Sequence, residues 1–295
     1  MTAHDPVKAE QAKKAFYVDD CLLSVPSPEE VRRISQTLRQ ILSSSGFNLT
    51  KFFSNVPHTL GDLPRAETKM LYLDQQPVDL KRTLGVEWEC KSDCIIFNVT
   101  SWEGKLTRRS VLAYVASLYD PLGLVAPSLL PVKRFLQDLC RRGAKWDEEV
   151  TKEEAFRWET CYREMQAIRK IRIPRCILAE RGEGGHRTEL HAFSDASEVG
   201  FGAVVYLRFI NDNGRAKCAL VLAKSRGAPL KSITIPRLEL AAAVVSAKLV
   251  AFAKDELSLP IDSVTFWTDS QIVIQLIRNT KTRFETCVQS SISNS

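Results

Sequence analysis

Three acidic residues stand in settings suited to phosphoester hydrolysis: Asp195, Glu239 and Asp269. Asp195 closes the apolar-alternating stretch LHAFSDA, just ahead of the glycine-containing SEVGFGAVVYL. Glu239 falls near the start of IPRLELAAAVVSAKLVAF, and Asp269 lies where VTFWTDSQIVIQLI changes from strand-like to helix-like. Hard divalent cations take oxygen ligands, and a two-metal site needs several carboxylates converging from separate elements. Each acid also has a purely local explanation. Asp195 can shape a turn, Glu239 suits the positive end of a helix, and Asp269 can cap one. A second acidic group, Asp19-Asp20, sits between the β-rich runs AFYV and CLLS. That pattern reads as a tight hairpin, and two adjacent acids at its tip repel each other unless a cation joins them.

The elements that must position these groups can be read in chain order. Ser27 caps a helix over 27–45, with Pro28 in its first turn, Glu30 completing a capping box and Gly46 ending it. Val31, Ile34, Leu38, Ile41 and Leu42 form its apolar face. Strands are expected at 47–53, 70–73, 83–88 and 95–99, the last two pairing across 91–94. Helices follow at 107–119 and 128–142, with a Tyr119–Gly123 turn between them. Thr151 and Glu154 open a third helix, running to about residue 168. A short strand over 174–179 and a linker over 180–185 come next. Three strands are then expected at 188–195, 201–209 and 216–224, with a turn at Asn211–Gly214. A helix over 235–254 carries Glu239, a fourth strand covers 263–268, and a helix covers 270–278.

The ordered set of hairpin with Asp, helix with Glu, and strand ending in Asp resembles the ribonuclease H domain of retroelement polyproteins. TIPRLEL and FWTDSQIVI look most like the BEL/Pao group. The resemblance extends upstream through FYVDD, LGVEW and SLYDPLGLVAP, covering about residues 15–287. FYVDD is similar to the YVDD active-site hairpin of reverse transcriptases, which implies Asp19, and less directly Asp20, as metal-side carboxylates. The expected fold class is α/β and α+β. Residues 1–103 would be a partial reverse-transcriptase palm and 104–181 a basic helical thumb and connection. Residues 182–295 would be a C-terminally truncated ribonuclease H-like domain, a mixed sheet with helices. In the complete parent the resemblance implies two Mg2+ or Mn2+ ions, RNA-directed DNA polymerase and ribonuclease H activities, and an RNA/DNA hybrid or duplex as partner.

Departures from the family pattern shape the expected function. A polymerase palm needs another metal-binding Asp upstream, on a strand, and the 16 residues before Tyr17 carry no strand pattern. A fifth ribonuclease H strand and a fourth acid are expected after residue 278 and are not seen. Gly227 falls where a larger residue is expected in a loop. The leading expectation is therefore a segment of a retroelement polyprotein that binds nucleic acid, with an incomplete polymerase and weakened metal-dependent hydrolysis of RNA in hybrids. The remaining polyprotein segments are candidate partners. The alternatives are a non-catalytic nucleic-acid-binding remnant and a non-functional, pseudogene-like product.

Charge and cysteine usage narrow the partners. The net charge is +6, and residues 101–181 hold 16 Lys/Arg against 11 Asp/Glu, so most of the excess lies in the helical middle. A basic stretch suits a phosphate backbone, although solvated helix faces look the same in sequence. Lys133, Arg134, Arg141 and Arg142 are the candidate backbone contacts. The eight cysteines form no CxxC pair and only four histidines accompany them, which speaks against a zinc site. Free thiols and the lack of a recognisable signal peptide point to an intracellular setting, cytoplasm or nucleus. The apolar run 111–132 is broken by Asp120, Pro121, Gly123 and Pro127, which suits packed helices rather than a membrane span.

Overall fold

The computed structural model describes residues 15–66, 69–73, 76–178, 186–231, 233–257 and 259–279. The lead-in 1–14, the 180–185 linker, the C-terminal tail and Cys287 lie outside the described residues, or nearly so. The chain divides into two compact units, 1–96 with 172–175, and 97–171 with 176–295. Helices and sheets are mixed in both. The helical middle and the ribonuclease H-like segment, expected as separate parts, thus belong to one unit.

In the first unit, β1 (Phe16–Tyr17) and β2 (Asp20–Cys21) form the expected hairpin, with Tyr17 paired to Asp20. Helix α1 (Pro28–Ser44) starts at Ser27, whose hydroxyl accepts from the Glu30 amide, and Gly46 follows with φ of +83°. Its apolar stripe is right in phase but only half-buried, since no residue of α1 is fully enclosed. A five-stranded sheet follows, in the order β3 (Lys69–Leu73), β4 (Gln76–Thr83), β5 (Val86–Glu89), β6 (Cys94–Ile96) and β7 (Ile173–Pro174). Arg175 clasps β7 in place. Its guanidinium donates to both Asp93 carboxylate oxygens at 2.7 and 3.1 Å and lies over the Trp88 ring.

Three strand expectations need correction here. Of the run expected over 174–179, Pro174 lies in β7 and 175–178 form no strand. Residues 47–53 form no strand beyond a single bridge, Phe52 to Arg65, and Phe47 is exposed. The run 83–88 contains a reversal. Leu84 and Gly85 both have positive φ, so Thr83 turns back to pair with Val86. Two consecutive left-handed residues make the tight hairpin turn that matches strand twist.

In the second unit, α2 (Arg108–Ser117), α3 (Ala126–Arg141) and α4 (Lys152–Ala167) pack around Val111, Val132, Phe135, Leu139 and Met165, all 1% exposed or less. Thr107 and Ser110 form one reciprocal capping box and Thr151 and Glu154 another. Tyr114 packs edge-on against Trp102 and Trp158. The second sheet has the order β10 (Ala216–Gly227), β9 (Gly200–Asn211), β8 (His186–Ala196), β11 (Ser263–Trp267). Strand β11 runs parallel to β8; the other pairs are antiparallel. Helix α5 (Ile235–Glu256) covers one face, its Val250 and Ala253 meeting Leu190, Ala192, Val205, Leu207 and Leu222. Helix α6 (Gln271–Arg278) follows β11.

The SLYDPLGLVAP stretch joins the helices to the sheet. The Asp120 carboxylate accepts from the amides of Leu124 and Val125, and the Leu122 carbonyl accepts from the Ala223 amide of β10. Further along α3, Gln137 donates to the Ala228 carbonyl. Gly227 is not a loop residue. It ends β10, and a β-carbon there would stand 2.8 Å from the Gln137 amide nitrogen. A larger residue there requires the Gln137 side chain of α3 to move aside. Among the described residues every cysteine is a free thiol, and no helix is long and apolar enough to cross a membrane.

Candidate metal centre

Asp195 is the next-to-last residue of β8, and its Oδ1 accepts from the Ala196 amide at 2.7 Å. Glu239 lies about one turn into α5. Asp269 follows the end of β11. It does not cap α6, because the Ser270 hydroxyl takes that role by accepting from the Val273 amide. Parallel pairing of β8 and β11 places the two strand ends side by side, and α5 crosses above them. One ligand oxygen from each of Asp195, Glu239 and Asp269 lies within 4.8 Å of the other two.

The three acids are not equivalent. Asp195 and Asp269 are exposed, whereas Glu239 is only 9% exposed. Its Oε2 is buried with no hydrogen-bond partner. Burial pushes the Glu239 carboxyl above the usual range, the charges of Asp195 and Asp269 add to that, and the Ala196 amide opposes it. An ionised carboxylate oxygen buried without a donor is costly. A proton or a cation would offset that cost. All donors are oxygen, which suits Mg2+ or Mn2+ and disfavours softer metals.

The other sequence candidates fare differently. Asp19 and Asp20 are exposed at the β1–β2 turn, where Val18 has φ of +54°. Among the described residues no third acid joins them. The basic candidates are engaged within the protein. Lys133 donates to the Ser225 carbonyl at 3.3 Å. Arg141 pairs with Asp138 at 2.8 Å, and Arg134 approaches the same carboxylate at 3.8 Å. Arg142 bonds both Glu148 and Glu154.

Sequence reading passed over a polar cluster on the strands that lead to Asp195 and Asp269. His191, on β8, bonds Glu189 through Nε2 and Trp267, on β11, through Nδ1. The signal was available: Glu189, His191, Phe193 and Asp195 alternate, so they share one face of the strand.

A family model described as "Pao retrotransposon-like RNaseH-like domain" matches residues 107–270. The chain belongs to this Pao retrotransposon-like family. The matched range begins at the cap of α2, so the family domain takes in the helices as well as the sheet that bears the carboxylates. No curated protein matches the chain in sequence. Among solved structures, a foamy viral protease-reverse transcriptase, described as "dRH" and "in complex with ds DNA", superposes with a TM-score of 0.52 at 13% identity. That match covers 97% of this chain and 45% of the viral one. A second foamy viral protease-reverse transcriptase structure, with dsDNA, gives a TM-score of 0.24 at 16% identity, over 92% of this chain and 51% of that one. The first likeness supports a shared fold with the viral enzyme. This Pao family member thus spans less than half of the viral chain it superposes on.

Proposed function

We propose that the second unit is a metal-dependent ribonuclease module of a Pao-type polyprotein, acting on the RNA strand of an RNA/DNA hybrid. The observation that supports this best is the buried, unpartnered Glu239 oxygen facing two aspartates within 4.8 Å. Asp195, Glu239 and Asp269 would hold the divalent metal, which supplies Lewis-acid activation of water and charge stabilisation at the phosphoryl oxygens. Glu239, held from α5 and shielded from solvent, keeps a carboxylate whose charge is fully expressed once a cation is near. Asp195 and Asp269 stand at the solvent side, where a phosphate backbone can approach. Hybrid recognition would rest on duplex shape and on 2′-hydroxyls.

The FYVDD hairpin supports a polymerase-derived origin for the first unit, with Asp19 and Asp20 as former or partial metal-side acids. For duplex binding, Arg134 and Arg141 are better placed than Lys133 and Arg142. Their side chains are 39% and 55% exposed, and they share a single carboxylate. The testing experiment follows cleavage of a labelled hybrid with Mg2+ or Mn2+, alongside melting curves, for the parent and Asp269→Asn. Metal-dependent stabilisation and cleavage, both lost in Asp269→Asn, are the expected results. A parent that neither binds metal nor cleaves would refute the reading.

A further inference from the structure

We propose that Trp267 and His191 are positioning residues that hold Asp269 against Asp195 for metal binding. The inference rests on the metal-centre reading above. The problem they solve is electrostatic. Asp195 and Asp269 lie at adjacent strand ends with like charges only a few ångströms apart, and repulsion favours their separation. Among the described residues β11 pairs with β8 alone, over five residue pairs. Its end needs a fastening beyond that single ladder.

The fastening is a chain of hydrogen bonds running across three strands. The Trp267 indole nitrogen stands 3.1 Å from His191 Nδ1. Indole N–H can only donate, so Nδ1 accepts and the imidazole proton resides on Nε2. Nε2 then donates to Glu189 Oε2 at 3.0 Å. Glu189 is 5% exposed and is held in turn by Arg208 of β9 at 3.0 Å and by Arg187 at 2.8 Å. The neutral His191 tautomer is thus set by partners on both sides.

Register carries this fastening to the metal ligands. Trp267 pairs with Phe193 across β11 and β8, and their rings stack at 5.9 Å and 10°. Asp195 is two residues beyond Phe193, and Asp269 two beyond Trp267. The stacked pair thus precedes each carboxylate by two residues, and the indole bond resists sliding of β11 along β8. On the far side, the Ser270 cap ties the residue after Asp269 to α6. Asp269 is held from both ends.

The test uses the full chain with Mn2+ as the probe. Trp267→Phe keeps the stacked ring and deletes only the N–H donor. His191→Gln keeps a donor for Glu189. Mn2+ affinity is read by calorimetry well below the melting temperature, so that a change in stability alone does not register. Both variants are expected to weaken Mn2+ binding by about tenfold, the lower end for outer residues that orient metal ligands. A Trp267→Phe/His191→Gln double variant should be no worse than the weaker single variant, because both act through one bond. In the parent, the Trp267 indole N–H should show a hydrogen-bonded NMR shift that His191→Phe removes. Parent-like Mn2+ affinity in Trp267→Phe and His191→Gln would overturn the positioning role while leaving the metal centre standing. A parent that binds no Mn2+ would overturn both.

Discussion

Gly123 and Ala223 meet backbone to backbone: a β-carbon on Gly123 would fall 1.8 Å from the Ala223 carbonyl oxygen. Gly123 also has φ of +69°, which other residues rarely adopt. The contact joins the turn before α3 to the outer strand β10, so the helices and the sheet share one structural element. Gly123→Ala adds both left-handed strain and a clash with backbone that cannot move aside. A loss of about 2–4 kcal/mol is expected from the two effects together. Urea unfolding measures it. A change below about 0.5 kcal/mol, the size of an ordinary surface substitution, would show that the turn is not a joint.

Metal should stabilise the protein by mass action. At a free ion concentration 100 times the dissociation constant, the gain is about 2.7 kcal/mol. Glu239→Gln should abolish that gain. The same variant should be as stable as the parent, or more so, without metal, because it removes a buried charge. Melting curves with and without Mn2+ separate the two effects.

The raised Glu239 carboxyl makes the metal-free protein pH-sensitive in a defined direction. Burial is the main cause, followed by the charges of Asp195 and Asp269. A carboxyl that binds its proton more tightly when folded contributes stability that is fully present below the unfolded pKa. That contribution is lost as pH rises through the higher folded pKa. Other carboxyls, such as Glu189, are shifted down by their partners and have the opposite trend. The informative quantity is therefore the stability difference between parent and Glu239→Gln. It should move against the parent as pH rises through and above the ordinary carboxylate range, and Mn2+ affinity of the parent should rise over the same interval. A difference that is flat in pH would remove the electrostatic account of the site.

Duplex binding should respond unequally to four cations that look alike in sequence. Replacing Arg134 and Arg141 by Gln should reduce the salt dependence of binding by about one for each lost phosphate contact. Lys133→Gln should leave the slope unchanged and destabilise the fold, since the ammonium is desolvated and bonds the Ser225 carbonyl. Arg142, between Glu148 and Glu154, should behave like Lys133. Fluorescence anisotropy across a salt series measures the slopes. Equal slopes for all four variants would place the backbone contact elsewhere.

The helix that begins after Thr151 offers a separate check on local structure. Thr151 accepts from the Glu154 amide, and Glu154 accepts from the Thr151 amide while holding Arg142. Thr151→Ala should cost about 1 kcal/mol, the usual value of an N-cap. Glu154→Ala should cost more, because it also releases Arg142 from its buried-side partner. Thermal unfolding of the two variants gives the comparison.

Much of this protein was legible in the sequence because its signals are local. Ser27, Thr107 and Thr151 each start the helix they cap, since a cap needs only the next three amides. The alternation through Leu190 and Ala192 marks the buried face of β8 without reference to any partner. The order of Asp195, Glu239 and Asp269 on strand, helix and strand end, with its family resemblance, was enough to single out three acids that the fold brings within 4.8 Å of one another. What happens between distant segments was not legible. Residues 83–88 read as one strand because Leu84 gives no sign in its residue type of the left-handed conformation it shares with Gly85 in the turn. Gly227 read as a loop residue because the extension of β10 to that position is set by pairing with Gly200 of β9, which residue type does not show. Lys133 and Arg142 read as free cations because their acceptors, Ser225 and Glu154, are chosen by packing. Helix spacing cannot show them. The sequence by itself determined which side chains could bind a metal. Only tertiary structure decided that one carboxylate oxygen of Glu239 is buried without a partner, and that Trp267 bonds His191 between the strands that lead to Asp195 and Asp269. The physical reason is that burial and hydrogen-bond completion are properties of assembled surfaces, which come into being when β8, β11 and α5 meet.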